Sequence, residues 1–90
     1  MTCYIIIYCP RNKEEGYFLN KFINNISKYE YIDLSDRVFL IVTDDSALVV
    51  RDKMARDLFP EDSLFILRSG TEAAWKEIEE ERVEWLEKNL

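Results

Sequence analysis

Thr2-Cys3-Tyr4-Ile5-Ile6-Ile7-Tyr8-Cys9 decides how the rest of the chain is read. The run is rich in β-branched and aromatic residues and is apolar at both odd and even positions. Such a segment reads as a strand covered on both faces, and therefore a central one. Pro10 ends it, and residues 11–15 form a polar loop. Phe18, Leu19, Phe22, Ile23 and Ile26 then recur at helical spacing, which predicts an amphipathic helix over residues 15–27.

Residues 29–34 and 37–43 are two further strand candidates, and Ser35-Asp36 between them suits a tight turn. Asp44-Asp45-Ser46 offers N-cap oxygens ahead of a helix whose apolar stripe is Ala47, Val50, Met54 and Leu58, with Pro60 as its stop. Residues 63–68 are a fourth strand, again apolar on both faces through Leu64, Phe65, Ile66 and Leu67, and Gly70 ends it. Thr71 caps a final acidic helix carrying Trp75, Ile78, Val83, Trp85 and Leu86, with a slip in its stripe that predicts a break near residues 79–81. Strand–helix–strand–strand–helix–strand is the α+β, ferredoxin-like order. The expectation is a four-stranded antiparallel sheet with two helices on one face and an additional C-terminal helix. It makes one domain over residues 1–90, with a core at 2–69 and an acidic tail at 71–90.

The net charge of −6 is unevenly spread, since residues 71–90 hold seven Glu against Lys76, Arg82 and Lys88. A net-acidic chain without a basic run is poorly suited to neutralising phosphates along a nucleic acid. A basic face can still form in three dimensions, because Arg51, Lys53 and Arg56 are close in sequence. Cys3 and Cys9, the only cysteines, would lie about 20 Å apart in one strand, too far for a disulfide. The short apolar start lacks the charged lead-in of a signal peptide, and no run approaches a membrane span. A reducing, cytoplasmic setting without membrane contact is the expectation.

Enzyme signals are nearly absent. The chain has no histidine, the commonest general base and nitrogen ligand. Thr43, Ser46 and Ser69 have no base partner in the sequence, and there is no Gly-rich phosphate loop or Cys-x-x-Cys pair. Asp44-Asp45, beside Thr43 and Ser46, is the densest group of oxygen ligands, with Asp33 or Asp36 as a third carboxylate. Helix capping and the helix dipole account for the same residues. Cys9 reads as a thiol near Arg11 or as a small buried apolar group. Tyr4, Tyr8, Tyr29, Tyr31, Phe39 and Phe65 are candidates for base stacking on an open sheet face, or for packing against a second protomer or the C-terminal helix. Trp75, Glu77, Glu79, Glu80, Glu81, Glu84 and Trp85 are candidate interaction residues of the tail. The plainer reading is a solvated helix face with pairs such as Glu72–Lys76 and Glu84–Lys88.

Ile41-Val42-Thr43-Asp44-Asp45-Ser46-Ala47 with Arg51-Asp52, Asp62-Ser63-Leu64-Phe65-Ile66-Leu67, Ala73-Ala74-Trp75, Glu84-Trp85-Leu86 and Asn89-Leu90 together carry a family resemblance. The chain resembles the SinR-type family of short bacterial proteins, which are similar to the small CRISPR-associated ferredoxin-like nucleases that partner the integrase in spacer acquisition. The resemblance implies a homodimer and a link to CRISPR or mobile-element biology. In the CRISPR-associated relatives an Asp at the end of the first strand is implicated in metal binding, one from each protomer. Cys9 stands at the matching position, and a thiolate is a poor ligand for Mg²⁺.

The leading expectation is therefore a non-catalytic protein-interaction domain, acting as a homodimer through sheet edges and its acidic, Trp-bearing tail, with an unidentified protein partner and no cofactor. The alternative is an Mg²⁺- or Mn²⁺-dependent nuclease using Asp36, Asp44 or Asp45, with nucleic acid as its partner. A further alternative is an acidic inhibitor that mimics nucleic acid on a basic protein.

Overall fold

Strand β1 (Thr2–Cys9) lies at the centre of a four-stranded antiparallel sheet in a computed structural model that describes residues 1–11, 23–35, 37–56, 58, 60–70, 74–76 and 78–89. Strands β2 (Glu30–Ser35), β3 (Val38–Thr43) and β4 (Ser63–Arg68) complete it in the order β2-β3-β1-β4. The helices are α1 (Ala47–Ala55) and α2 (Glu80–Asn89), and residues 23–26 are also helical. Most of the expected first helix lies outside the described residues. Among the described residues no helix is long and apolar enough to cross a membrane.

The alternation of β1 divides the core in two. Tyr4, Ile6 and Tyr8 point to one face, where they pack with Phe39 and Ile41 of β3, Ile26, and Val50 and Met54 of α1. Ile6, Ile26, Ile41, Val50 and Met54 are completely buried, each contributing about 1.5–3 kcal/mol of burial free energy. Cys3 points to the opposite face and packs with Ile32, Leu40 and Leu86 of α2, with Ile5, Leu34, Val42, Ile78 and Trp85 against them. The sheet is thus sandwiched between α1 on one side and α2 on the other.

Each element has a local cause. Ser46 adopts an extended conformation at the N-cap of α1, and its hydroxyl accepts from the Val49 amide. The stripe Val50–Met54 then turns into the core at i, i+4 spacing. The helix ends at Ala55, before the stop expected at Pro60, and the Leu58 amide donates to the Ala55 carbonyl in the turn that follows. The C-terminal helix expected from Thr71 begins instead at Glu80, where the slip in the apolar stripe foreshadowed a break. Residues 74–76, 78 and 79 are not helical, and Thr71 lies outside the described residues. The Glu79 carbonyl accepts from the Arg82 and Val83 amides and so opens α2, while Ile78 turns down to the sheet.

The two sheet edges are built differently. On β2, the register shifts between Asp33 and Ser35, and exposed Glu30 and Asp33 line the strand. Arg82 of α2 reaches Asp33 at 3.5 Å. A bulge and edge charges are devices that block pairing with another chain. On β4 the ladder with β1 runs unbroken from Tyr4↔Arg68 to Cys9↔Ser63.

Candidate functional site

Phe65 and Leu67 of β4 are 55% and 51% exposed, although their strand is apolar on both faces. Register explains where they point. Ile5 pairs with Leu67 and Ile7 with Phe65, while on the other side Ile7 pairs with Val38, so these five side chains share the α2 face. Helix α2 packs over Cys3, Ile32 and Leu40 and leaves the β4 end of that face open. Strand β4, apolar on both faces, is thus covered on only one of them by the described residues. Leu48, 56% exposed, continues the apolar surface around the β4 edge. There a groove of about 330 Å³ is lined by Ala47, Leu48, Arg51, Leu64, Phe65 and Ile66.

The aromatic residues considered for base stacking divide between core and surface. Tyr4, Tyr8 and Phe39 are buried under α1, which removes them from that role, and Tyr29 and Tyr31 pack partly buried against the same cluster. The Tyr8 hydroxyl donates to Asp62 at 3.4 Å, and Asp62 also accepts from the Arg11 amide. These contacts fasten the end of β1 to the turn preceding β4. Of the set, Phe65 alone is a strongly exposed aromatic.

The two aspartates after β3 do not act together. Asp44 projects into solvent, 3.8 Å from the Met1 ammonium. Asp45 turns the other way and accepts from Lys53 Nζ at 2.9 Å, while its amide donates to the Thr43 hydroxyl. Asp33 is engaged by Arg82, and Asp36 lies outside the described residues. Among the described residues no three His, Cys, Asp or Glu side chains come together as a metal site would require.

Behind Asp45 lies a cleft of about 440 Å³ lined by Asn25, Lys28, Tyr29, Lys53 and Arg56. Asn25 Nδ2 donates to the Lys53 carbonyl at 2.8 Å, joining the segment after the first helical residues to α1. The Tyr29 hydroxyl is buried and makes no hydrogen bond of good geometry, with the Asp45 carboxylate beside it. Burial raises its pKa first of all, with Lys53 opposing and Asp45 reinforcing the shift. Asp45 holds the Lys53 ammonium above its ordinary pKa, against repulsion from Arg56. The basic face anticipated from Arg51, Lys53 and Arg56 thus splits. Arg51 pairs with neighbouring Asp52, and Lys28 joins the other two. Lys28 was invisible as a site residue in sequence because its partners lie some 25 positions further along.

The tail residues serve two purposes. Trp85 is half-buried and anchors α2 to the sheet beside Leu86. Trp75 is 40% exposed, and Glu79, Glu80, Glu81 and Glu84 face solvent. Glu77 lies outside the described residues. Glu80 and Glu81 occupy the first turn of α2, where the helix dipole favours negative charge. Glu84 and Lys88 form no ion pair, whereas Glu79 and Arg82 pair at 3.4 Å, with Arg82 extending to Asp33. Glu72, of the expected Glu72–Lys76 pair, is outside the described residues.

Both cysteines are free, Cys3 buried and Cys9 exposed. Burial raises the Cys3 thiol pKa, partly offset by a hydrogen bond with Ser69. A thiol reagent at neutral pH is expected to modify Cys9 in the native protein and Cys3 only after unfolding, as counted by mass spectrometry. Cys3, Tyr29 and Lys53 all have pKa values raised by the fold. Each therefore contributes stability that is complete below its unfolded pKa and is lost as pH rises through its folded pKa. Chemical denaturation should show stability falling as pH rises from about 8.5, the ordinary thiol value, through the tyrosine and lysine range.

Compared with known protein families and with curated proteins, the chain matches none.

Proposed function

We propose that this domain is a non-catalytic interaction module that acts as a homodimer through the open apolar face of β1 and β4. The observation that carries the reading is the exposure of Phe65 and Leu67 beside Ile5, Ile7 and Val38, on a strand apolar on both faces. Contiguous apolar surface of this kind marks an interaction site. A second copy suits it because a two-fold axis sets the same apolar strip against itself. The five residues carry no charge, so two chains of net charge −6 meet there without placing like charges in contact. The charged, bulged β2 edge is a poor alternative.

The strand order β2-β3-β1-β4, read from the other end as 4-1-3-2 with all neighbours antiparallel, supports a ferredoxin-like assignment. That assignment is in keeping with the resemblance to SinR-type proteins. In such a dimer the exposed Glu80, Glu81 and Glu84 and Trp75 remain available for a basic protein partner. Light scattering at micromolar concentration tests the proposal. The expected mass is near twice 10.8 kDa, and a monomer at these concentrations would overturn it. The nuclease alternative makes the opposite demand of an activity assay: Mg²⁺- or Mn²⁺-dependent cleavage abolished in Asp45→Ala.

A further inference from the structure

The geometry points to a second site, independent of the dimer face: the cleft between α1 and the segment before β2 binds the phosphate group of a small phosphorylated ligand. Three cations, Lys28, Lys53 and Arg56, line it with Asn25 and Tyr29, and no acidic side chain is among the described lining residues. Such a concentration of positive charge is notable in a chain whose net charge is −6.

Helix chemistry alone does not account for the arrangement. A cation in the last turn complements the dipole of α1, and Lys53 occupies that place. Its charge is already matched by Asp45 at 2.9 Å. Lys28 and Arg56 remain, and neither has an ion-pair partner among the described residues. A second observation is the Tyr29 hydroxyl, a buried polar group in the cleft wall with no hydrogen bond of good geometry, beside it only the Asp45 carboxylate that Lys53 already engages. Buried polar atoms are nearly always paired, and an orphan calls for an explanation.

An anion supplies what these groups lack. The Arg56 guanidinium offers a planar donor fork suited to phosphate, and Lys28 and Lys53 offer point charges. A phosphate that draws Lys53 away from Asp45 also brings an acceptor towards the Tyr29 hydroxyl. Asp45 is then an internal competitor, occupying Lys53 when the cleft holds no ligand. The cleft volume of about 440 Å³ falls within the range of small-molecule pockets. It exceeds what a bare phosphate needs, so room remains for an attached organic group. The cations form one cluster rather than a stripe along the surface, which favours a small ligand over an extended nucleic acid.

The probe is inorganic pyrophosphate, titrated into the full chain at constant ionic strength and followed by amide and side-chain NMR. Saturable shifts are expected at Asn25, Lys28, Tyr29 and Arg56. Lys28→Ala and Arg56→Ala should each weaken binding by about tenfold, the loss of one charge-assisted contact. Both side chains are exposed at the surface, so the variants retain the fold, as their unperturbed core resonances would show. Asp45→Asn should tighten binding by releasing Lys53. Shifts reproduced by sodium chloride, or binding unchanged in the Lys28→Ala/Arg56→Ala double variant, would overturn the site. An oligothymidylate that binds more tightly than pyrophosphate, with a salt dependence of many released ions, would overturn the small-ligand assignment.

Discussion

Phe65→Lys combined with Leu67→Lys is expected to turn the dimer into a monomer without unfolding it. Complete burial of a large apolar side chain contributes roughly 1.5–3 kcal/mol. These two residues are already about half covered in the single chain, so the gain on association is about half of that for each. Four such side chains meet in a symmetric dimer, giving about 3–6 kcal/mol, or a dissociation constant weakened by roughly 10²–10⁴-fold. The introduced lysines add repulsion at an edge strand, the device other sheets use against pairing. Sedimentation equilibrium measures the shift, and circular dichroism checks that the variant remains folded. Asp33→Ala on the opposite edge serves as the control and should leave association unchanged.

Ile6→Ala should have the largest effect on folding itself. Ile6 is fully buried on the central strand, between β3 and β4 and beneath the cluster formed with α1. Truncating such a side chain removes its burial free energy and leaves a cavity, at a cost of about 2–5 kcal/mol. For a domain of 90 residues, each kcal/mol lowers the melting temperature by roughly 4–8 °C, so a fall of about 8–40 °C is expected. Met54→Ala removes the opposing wall of the same cluster and should behave similarly. Thermal unfolding at fixed protein concentration measures both, which matters because dimerisation makes the apparent stability concentration-dependent.

The four strands were legible because their period and composition are local properties. The run from Thr2 to Cys9 gave the central strand, and 63–68 gave β4 with its bounds unchanged. The stretches 29–34 and 37–43 each moved by one residue at one or both ends, as the register shift between Asp33 and Ser35 displaced the hairpin. The α1 stripe was visible too, since Val50 and Met54 stand four apart. What escaped was anything that depends on where a distant element comes to rest. Leu64-Phe65-Ile66-Leu67 reads as apolar on both sides, and only the path of α2 over Ile32 and Leu40 shows that the described residues leave one side open. The Asp44-Asp45 pair illustrates the same limit from the other direction. Adjacent in sequence, the two carboxylates diverge, one to the Met1 ammonium and one to Lys53. Lys28 and Arg56 line one cleft because Asn25 and Ile26 hold their segment against α1.

The most direct test of the dimer is an isotope-filtered NOE experiment on protein mixed from labelled and unlabelled chains. Contacts between chains are expected from the Phe65 ring and the Leu67 methyls to Ile5, Ile7, Phe65 or Leu67 of the other copy. Intermolecular contacts arising instead from β2 or α2, or none at all at millimolar concentration, would contradict the assignment of the β1–β4 face.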